Sequence, residues 1–93
     1  MQITNVSGEN LSSLKLKFRG GTSLIATLKS NETARVRINP SGESGVGIEF
    51  LDSSGLLRTN YIDVYMEQNY RGTLYLTVNP GGKVTHKNNI IPF

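Results

Sequence analysis

Apolar and polar residues alternate with a period of two in segment after segment of this chain, with turn-forming residues between most of them. Successive side chains of a β-strand point to opposite faces, so a period of two predicts a half-buried strand. The alternating runs occupy 14–19, 24–29, 33–38, 46–51, 61–66 and 73–78. Shorter segments of the same kind lie at 3–7 and around Val84. The sequence therefore predicts an all-β chain of seven to eight strands.

The residue composition supports this prediction. Ser, Thr, Asn and Gly make up 36 of the 93 residues, whereas Ala occurs only at Ala26 and Ala34. Turn formers and β-branched residues are thus abundant, and the best helix former is nearly missing. No window places apolar residues at the spacing of an amphipathic helix, so the sequence gives no reason to expect an α-helix.

The predicted strands form one domain. A chain of 93 residues supports one modest core, and two sheets packed face to face bury the apolar face of each. We therefore expect a single antiparallel β-sandwich over residues 1–87, with an apolar tail at 88–93. In strand count and turn spacing the chain resembles immunoglobulin-like sandwiches, although it lacks cysteine and tryptophan. The resemblance implies an immunoglobulin-like architecture.

The inward positions of the alternating runs give a predicted core and two predicted strand pairings. The first pairing sets Val64 against Leu76 and Tyr65 against Tyr75, and the second sets Arg35 against Glu49. A Greek-key connection would separate some of these neighbours. Glycines at 45 and 47, inside a strand pattern, indicate a bulge or a close backbone approach. The predicted core consists of Leu14, Leu16, Phe18, Leu24, Leu28, Val36, Ile38, Val46, Ile48, Phe50, Ile62, Val64, Met66, Leu74, Leu76 and Val78.

The sequence argues against an enzyme and predicts neither a cofactor nor a metal site. The absence of cysteine excludes a disulfide scaffold, a thiolate zinc site and a catalytic thiol. The one histidine, His86, has no second ligand or nucleophile at motif spacing, so we expect a surface residue. The segment Asp52–Gly55 has too few ligands for a calcium loop, and we expect Asp52 to cap its own turn.

No apolar run approaches about 18 residues, and the first residues show no signal-peptide pattern. We therefore expect no membrane association, and a cytoplasmic protein, or a secreted one if a leader has been removed. The formal net charge of +3 is too small to require a nucleic-acid partner.

Four tyrosines form the first candidate site. In the predicted register Tyr61, Tyr65 and Tyr75 point outward from one sheet, and Tyr70 lies in the loop between their strands. Exposed tyrosines provide contact area at low entropic cost and are enriched at interfaces. These residues are interpreted as a protein-binding face, a homodimer seam or a sugar platform, with Asp63 and Thr77 supplying hydrogen bonds. The alternative is that tyrosine simply suits a pleated surface.

Basic residues form the second candidate site. Lys15, Lys17 and Arg19 project from one predicted strand, and Arg35 and Arg37 project from another. If the two strands share a sheet, its outer face attracts nucleic acid or an acidic protein. The alternative is an ordinary solvated face with lysines that protect an edge strand. No aromatic residue lies among these outward-projecting positions to stack a base.

From these observations we predict a small non-enzymatic binding module that recognises a protein partner through an exposed sheet face. Tyr61, Tyr65, Tyr70, Tyr75 and Asp63 are its predicted contact residues. Its size and composition fit a bacterial or phage accessory, inhibitor or structural protein. The alternatives are a carbohydrate-binding module on the tyrosine face and nucleic-acid binding through the basic face.

Overall fold

A computed structural model describes residues 1–38, 42, 44–66 and 72–88, except for the side chains of residues 44, 65 and 66. All regular elements in this part of the chain are β-strands apart from a short 3-10 turn, Pro80–Gly82. None of its helical segments is long and apolar enough to cross a membrane. The strands are β1 (Gln2–Asn5), β2 (Leu11–Phe18), β3 (Gly21–Leu28), β4 (Thr33–Arg35), β5 (Ser44–Leu51), β6 (Leu57–Met66), β7 (Leu74–Val78) and β8 (Val84–Asn88).

The eight strands form two sheets of four, which confirms the predicted all-β class. Sheet I has the order β4-β1-β7-β8, and sheet II has the order β3-β2-β5-β6. The prediction of purely antiparallel sheets is wrong at one place, because β1 and β7 pair in parallel. A tight hairpin can join only antiparallel neighbours, but β1 and β7 are separated by most of the chain, so a parallel pair is free to form.

The inward side chains of both sheets form one hydrophobic core. Ile3 and Leu11 belong to it although the sequence analysis did not include them. Each inner face therefore covers the other, as expected for a sandwich-like arrangement. The predicted core residues that are buried are Leu14, Leu16, Leu28, Val46, Ile48, Phe50, Ile62, Val64, Leu74, Leu76 and Val78.

Leu24 was predicted to lie in the core and is instead 70% exposed. The cause is an irregularity in β2, where Ser13 has a φ of 48° and the register against β5 shifts between Ser12 and Lys15. Such a bulge changes which face the following residues occupy. Leu11 and Leu14 are both buried although they are three residues apart, so strict alternation fails here.

The same change of face occurs in β3, because Ile25 pairs with Leu14, whereas Leu24 pairs with Lys15. Ile25 consequently packs against the core in place of Leu24. Of the other predicted core residues, Phe18, Val36 and Ile38 are only half-buried, and the side chain of Met66 lies outside the described part. Asn88 of the predicted tail ends β8, and residues 89–93 lie outside the described residues.

A buried asparagine at the end of β1 joins the β1–β2 loop to the end of β3. Asn5 is fully buried, and its Nδ2 donates hydrogen bonds to the carbonyl oxygens of Glu9 (2.6 Å) and Leu28 (3.0 Å). Its Oδ1 accepts from the backbone N (3.0 Å) and the hydroxyl (2.6 Å) of Ser7. The side chain thus satisfies backbone groups of the β1–β2 loop and of the end of β3, which belongs to the other sheet.

Candidate binding faces

The structure divides the predicted tyrosine cluster between the two sheets. Tyr61 and Tyr65 belong to β6 in sheet II, whereas Tyr75 belongs to β7 in sheet I. The side chain of Tyr65 and the whole of Tyr70 lie outside the described residues. The predicted pairing of β6 with β7 is therefore wrong, because β6 pairs with β5 and β7 pairs with β1 and β8.

The predicted basic face is divided in the same way. Lys15 and Lys17 lie on β2 in sheet II, but Arg35 lies on β4 in sheet I. Arg37 lies two residues beyond β4 and is exposed. Arg19 follows β2 and is exposed, with its guanidinium 3.3 Å from the point where a Cβ on Gly42 would lie.

The predicted pairing of Arg35 with Glu49 is also wrong, since Arg35 pairs with Gln2. Glu49 lies between Lys15 on β2 and Thr59 on β6. Alternation fixes which residues share a face of one strand, but it does not say which strand lies next to it. The β4–β5 connection passes from one sheet to the other, which separates Arg35 from Glu49.

The outer face of sheet II, opposite the core, combines exposed apolar side chains with charged ones. Tyr61 is 68% exposed, Leu57 is 57% exposed and Leu24 is 70% exposed. Strand pairing sets the outward residues in three cross-strand rows. These rows are Leu24–Lys15–Glu49–Thr59, Thr22–Lys17–Gly47–Tyr61 and Thr27–Ser12–Leu51–Leu57.

Asp63 shares this outer face with Tyr61, because it is exposed between the buried residues Ile62 and Val64. Tyr61 and Asp63, which were predicted to share a face, do so. Leu57 was not among the predicted contact residues, although the same period of two, followed back from Tyr61, gives it the same face. Leu24 could not be found in this way because of the β2 irregularity.

Gly45 on β5 lets the Tyr61 ring lie close to the sheet. Gly47 is directly opposite Tyr61, and the register of β5 against β6 shifts between Ser44 and Val46. A methyl group added at Gly45 would collide with the Tyr61 hydroxyl and would lie 2.7 Å from its Cζ. The prediction of a bulge or a close approach is therefore confirmed at Gly45, where the approaching group is the phenol ring. A methyl group at Gly47 would meet Lys17 instead.

Formal charges balance on this face. Lys17 Nζ lies 3.2 Å from Glu49 Oε2, and Lys15 and Asp63 are both exposed. The two lysines and the two acids on the described strands of this face cancel in formal charge. Because the Lys17–Glu49 pair is partly exposed, we expect it to contribute little to stability.

A hydrogen-bonded turn fixes the start of β6, the strand that carries Tyr61. Asp52 Oδ1 accepts hydrogen bonds from the backbone N of Ser54 (3.0 Å), the Ser54 hydroxyl (2.6 Å) and the backbone N of Leu56 (3.0 Å). Asp52 Oδ2 accepts from Arg58 Nε at 3.2 Å. This confirms that Asp52 caps its own turn.

The hydrogen bond from the Ser54 hydroxyl, aided by those from Leu56 and Arg58, lowers the pKa of Asp52 from 3.8 to about 2. A lowered folded-state pKa means that the carboxylate stabilises the fold above the unfolded pKa. That contribution is lost as the pH falls from about 4 through about 2.

We expect Asp52→Asn to destabilise the protein at pH 6 and the difference from wild type to shrink at pH 2. Urea unfolding at both pH values measures this, and a difference that is independent of pH would contradict it.

The outer face of sheet I has a different character. Its central row runs from Arg35 through Gln2 and Tyr75 to Lys87, and Tyr75 is 39% exposed. No acidic residue occurs in its four strands. A second row consists of four threonines, Thr33, Thr4, Thr77 and Thr85.

Neither face resembles a metal centre. Among the described residues, no group of three His, Cys, Asp or Glu side chains converges. His86 is exposed on β8, as predicted for a surface residue.

Comparisons with known proteins do not assign the chain to a family. No family model matches it, and neither curated proteins nor solved structures give a significant match. Arguments about function therefore rest on the two outer faces.

Proposed function

We propose that this protein is a non-enzymatic binding module that recognises a protein partner through the outer face of sheet II, with Tyr61 as the main anchor. The supporting observation is that Tyr61, Leu57 and Leu24 are more than half exposed on this one face. Isolated exposed apolar residues are common. Tyr61 and Leu57 lie on β6 and Leu24 on β3, the other edge strand, so a partner that contacts all three covers the full width of the face.

The support of the Tyr61 ring by β5 favours a contact role. Because the ring lies over Gly45, less side-chain freedom is lost when a partner covers it. Tyrosine is enriched at protein interfaces, since its ring buries a large area while its hydroxyl keeps a hydrogen-bond partner. Asp63 and Thr59 offer polar contacts beside the ring.

The balanced charge of the face favours a protein over a polyanion. Lys15 and Lys17 are offset by Glu49 and Asp63, so attraction of a phosphate backbone is weak. A carbohydrate-binding face usually stacks a sugar on aromatic rings. The described residues provide one ring here, Tyr61, because Tyr75 lies on the other sheet. Carbohydrate binding is therefore tested as a control, by titration with oligosaccharides.

The immunoglobulin-like classification is part of this proposal. It is supported by the two-sheet arrangement and by the pairing of the second and fifth strands, which immunoglobulin domains share as strands B and E. The rest of the strand order differs. A bacterial or phage origin and a cytoplasmic or secreted location also remain proposals, based on size and composition.

The experiment compares Tyr61→Ala with Tyr75→Ala, which removes the same side chain from the other sheet. Each protein is used as bait in an extract of the source cells, and captured proteins are quantified. We expect one partner to bind wild type and Tyr75→Ala, and to bind Tyr61→Ala at least about 30-fold more weakly, the effect of losing a hot-spot residue. Equal capture by all three would contradict the proposal.

Light scattering at several concentrations tests whether the partner is a second copy of the chain. If wild type is a dimer and Tyr61→Ala is a monomer, the partner is a second copy of the chain. Titration with an oligosaccharide panel, followed by NMR shifts of the Tyr61 ring, is expected to give no response.

A further inference from the structure

We propose that the outer face of sheet I binds single-stranded nucleic acid, with a base stacked on Tyr75 and the backbone phosphates held by Arg35, Arg37 and Lys87. This inference is independent of the proposed function, because it concerns the opposite sheet. It rests on a juxtaposition that the sequence order conceals: strand pairing brings an exposed aromatic ring between cations that are far apart in the chain.

The row that contains Tyr75 places its cations at useful distances. Lys87 is directly beside Tyr75 on β8, and Arg35 is two strands away on β4, with Gln2 between them. With neighbouring strands about 5 Å apart, these cations lie about 5 and 10 Å from the ring position. Their long side chains can therefore reach phosphates on both sides of a stacked base.

Within the described residues, no ion pair neutralises the cations of this face. The strands β1, β4, β7 and β8 contain no Asp or Glu, and the two ion pairs among the described residues, Lys17–Glu49 and Arg58–Asp52, lie elsewhere. The nearest acid in sequence, Glu32, precedes β4, and its Oε1 accepts a hydrogen bond from the backbone N of Lys29. An anionic chain therefore meets Arg35 and Lys87 along this row and Arg37 two residues beyond β4, with no carboxylate on these four strands.

Uncharged polar groups complete the surface. The threonine row lies two residues along the strands from the row that contains Tyr75. In it, the Oγ1 atoms of Thr4 and Thr33 are hydrogen-bonded to each other at 3.0 Å. Hydroxyl and amide groups beside a ring suit sugars and base edges.

A sheet face with an exposed ring favours single strands over duplex. Bases in a duplex are already stacked and are not available to Tyr75, whereas unpaired bases stack on an aromatic side chain with little dependence on sequence. Other single-strand-binding proteins use the same combination of an aromatic ring for stacking and a positively charged surface for the backbone.

The test measures fluorescence anisotropy of a labelled ten-nucleotide oligothymidine with the full chain at several salt concentrations. Three phosphate contacts predict that the logarithm of the association constant falls with the logarithm of salt with a slope of about −2. Tyr75→Leu keeps the apolar volume but cannot stack, so we expect it to weaken binding about 5- to 150-fold, while Tyr75→Phe stays within about threefold of wild type.

Charge-matched variants separate this face from the net charge of the protein. We expect Arg35→Gln or Lys87→Gln to reduce the magnitude of the salt slope by about 0.7 each, and Lys15→Gln on sheet II to leave it unchanged. An equal effect of Lys15→Gln, unchanged binding in Tyr75→Leu, or no binding at low salt would overturn the proposal. So would equally tight binding of heparin that is insensitive to Tyr75→Leu. Circular dichroism confirms that each variant is folded.

Discussion

Replacing Leu14 by alanine is expected to lower the free energy of unfolding by about 2–5 kcal/mol, whereas Leu24→Ala is expected to change it by less than about 0.5 kcal/mol. The two substitutions remove the same atoms from neighbouring strands. Sequence alternation assigns both leucines to the core, so the pair tests the part of the fold that alternation does not predict.

The expected difference follows from exposure. Leu14 is fully buried among residues of both sheets, so its truncation leaves a cavity between them. Leu24 is 70% exposed beside Lys15, and its loss removes little buried area. In a domain whose total stability is of the order of 5–15 kcal/mol, the first change is large and the second is small.

Urea unfolding, monitored by circular dichroism, measures both values, and thermal unfolding gives a second measure. For a domain of this size, we expect Leu14→Ala to lower Tm by at least about 8 °C. Similar losses in both variants would mean that Leu24 is buried after all, and that the irregularity at Ser13 does not turn β2 and β3 as described.

Replacing Asn5 by alanine is expected to cost about 3 kcal/mol or more of unfolding free energy. The side chain makes four hydrogen bonds, two as donor to the carbonyl oxygens of Glu9 and Leu28 and two as acceptor from Ser7. Its removal leaves buried polar groups without partners, and each such group costs about 1–3 kcal/mol.

Asn5→Asp separates hydrogen bonding from packing. Aspartate has almost the same shape and still accepts from Ser7, but it cannot donate to Glu9 or Leu28 and places a charge in a buried site. We expect it to be at least as destabilising as alanine at neutral pH and less so at low pH, where the carboxyl is protonated.

The control is Asn10→Ala, because Asn10 is exposed and its side chain accepts one bond, from the backbone N of Ser30 at 3.0 Å. We expect a loss of about 1 kcal/mol or less. Denaturant unfolding of all three variants at neutral pH, and of Asn5→Asp at low pH, tests the prediction. Equal stability of Asn5→Ala and Asn10→Ala would show that the buried network does not hold the loops.

Asn5 also shows where pattern and composition disagree. The period of two places it on the same face as Ile3, which is correct, but a polar residue is normally assigned to the outside. Its burial depends on backbone groups of Glu9 and Leu28, and the sequence does not show that these converge on it. The spacing thus indicates an inward position for Asn5, whereas its polar side chain suggests an outward one.

The candidate sites were predicted only in part. The exposed positions of Tyr61, Tyr75, Asp63 and the lysines of β2 follow from alternation, because successive residues of a strand lie on opposite faces of the sheet. The assignment of Tyr75 to the same surface as Tyr61 was wrong, since it required β6 and β7 to be neighbours. Consecutive strands often pair, but here the chain crosses to the other sheet between them.

By itself the sequence determined the all-β class, the approximate strands and most of the core, because alternation and turn residues act over a few residues. Only the tertiary structure decided which strands are neighbours, the parallel pair of β1 and β7, and the change of face at Ser13. These depend on contacts between distant segments, where burial of both apolar faces selects one arrangement among several with the same local pattern. The same long-range pairing put Tyr75 between Arg35 and Lys87 and left Tyr61 on a face of balanced charge.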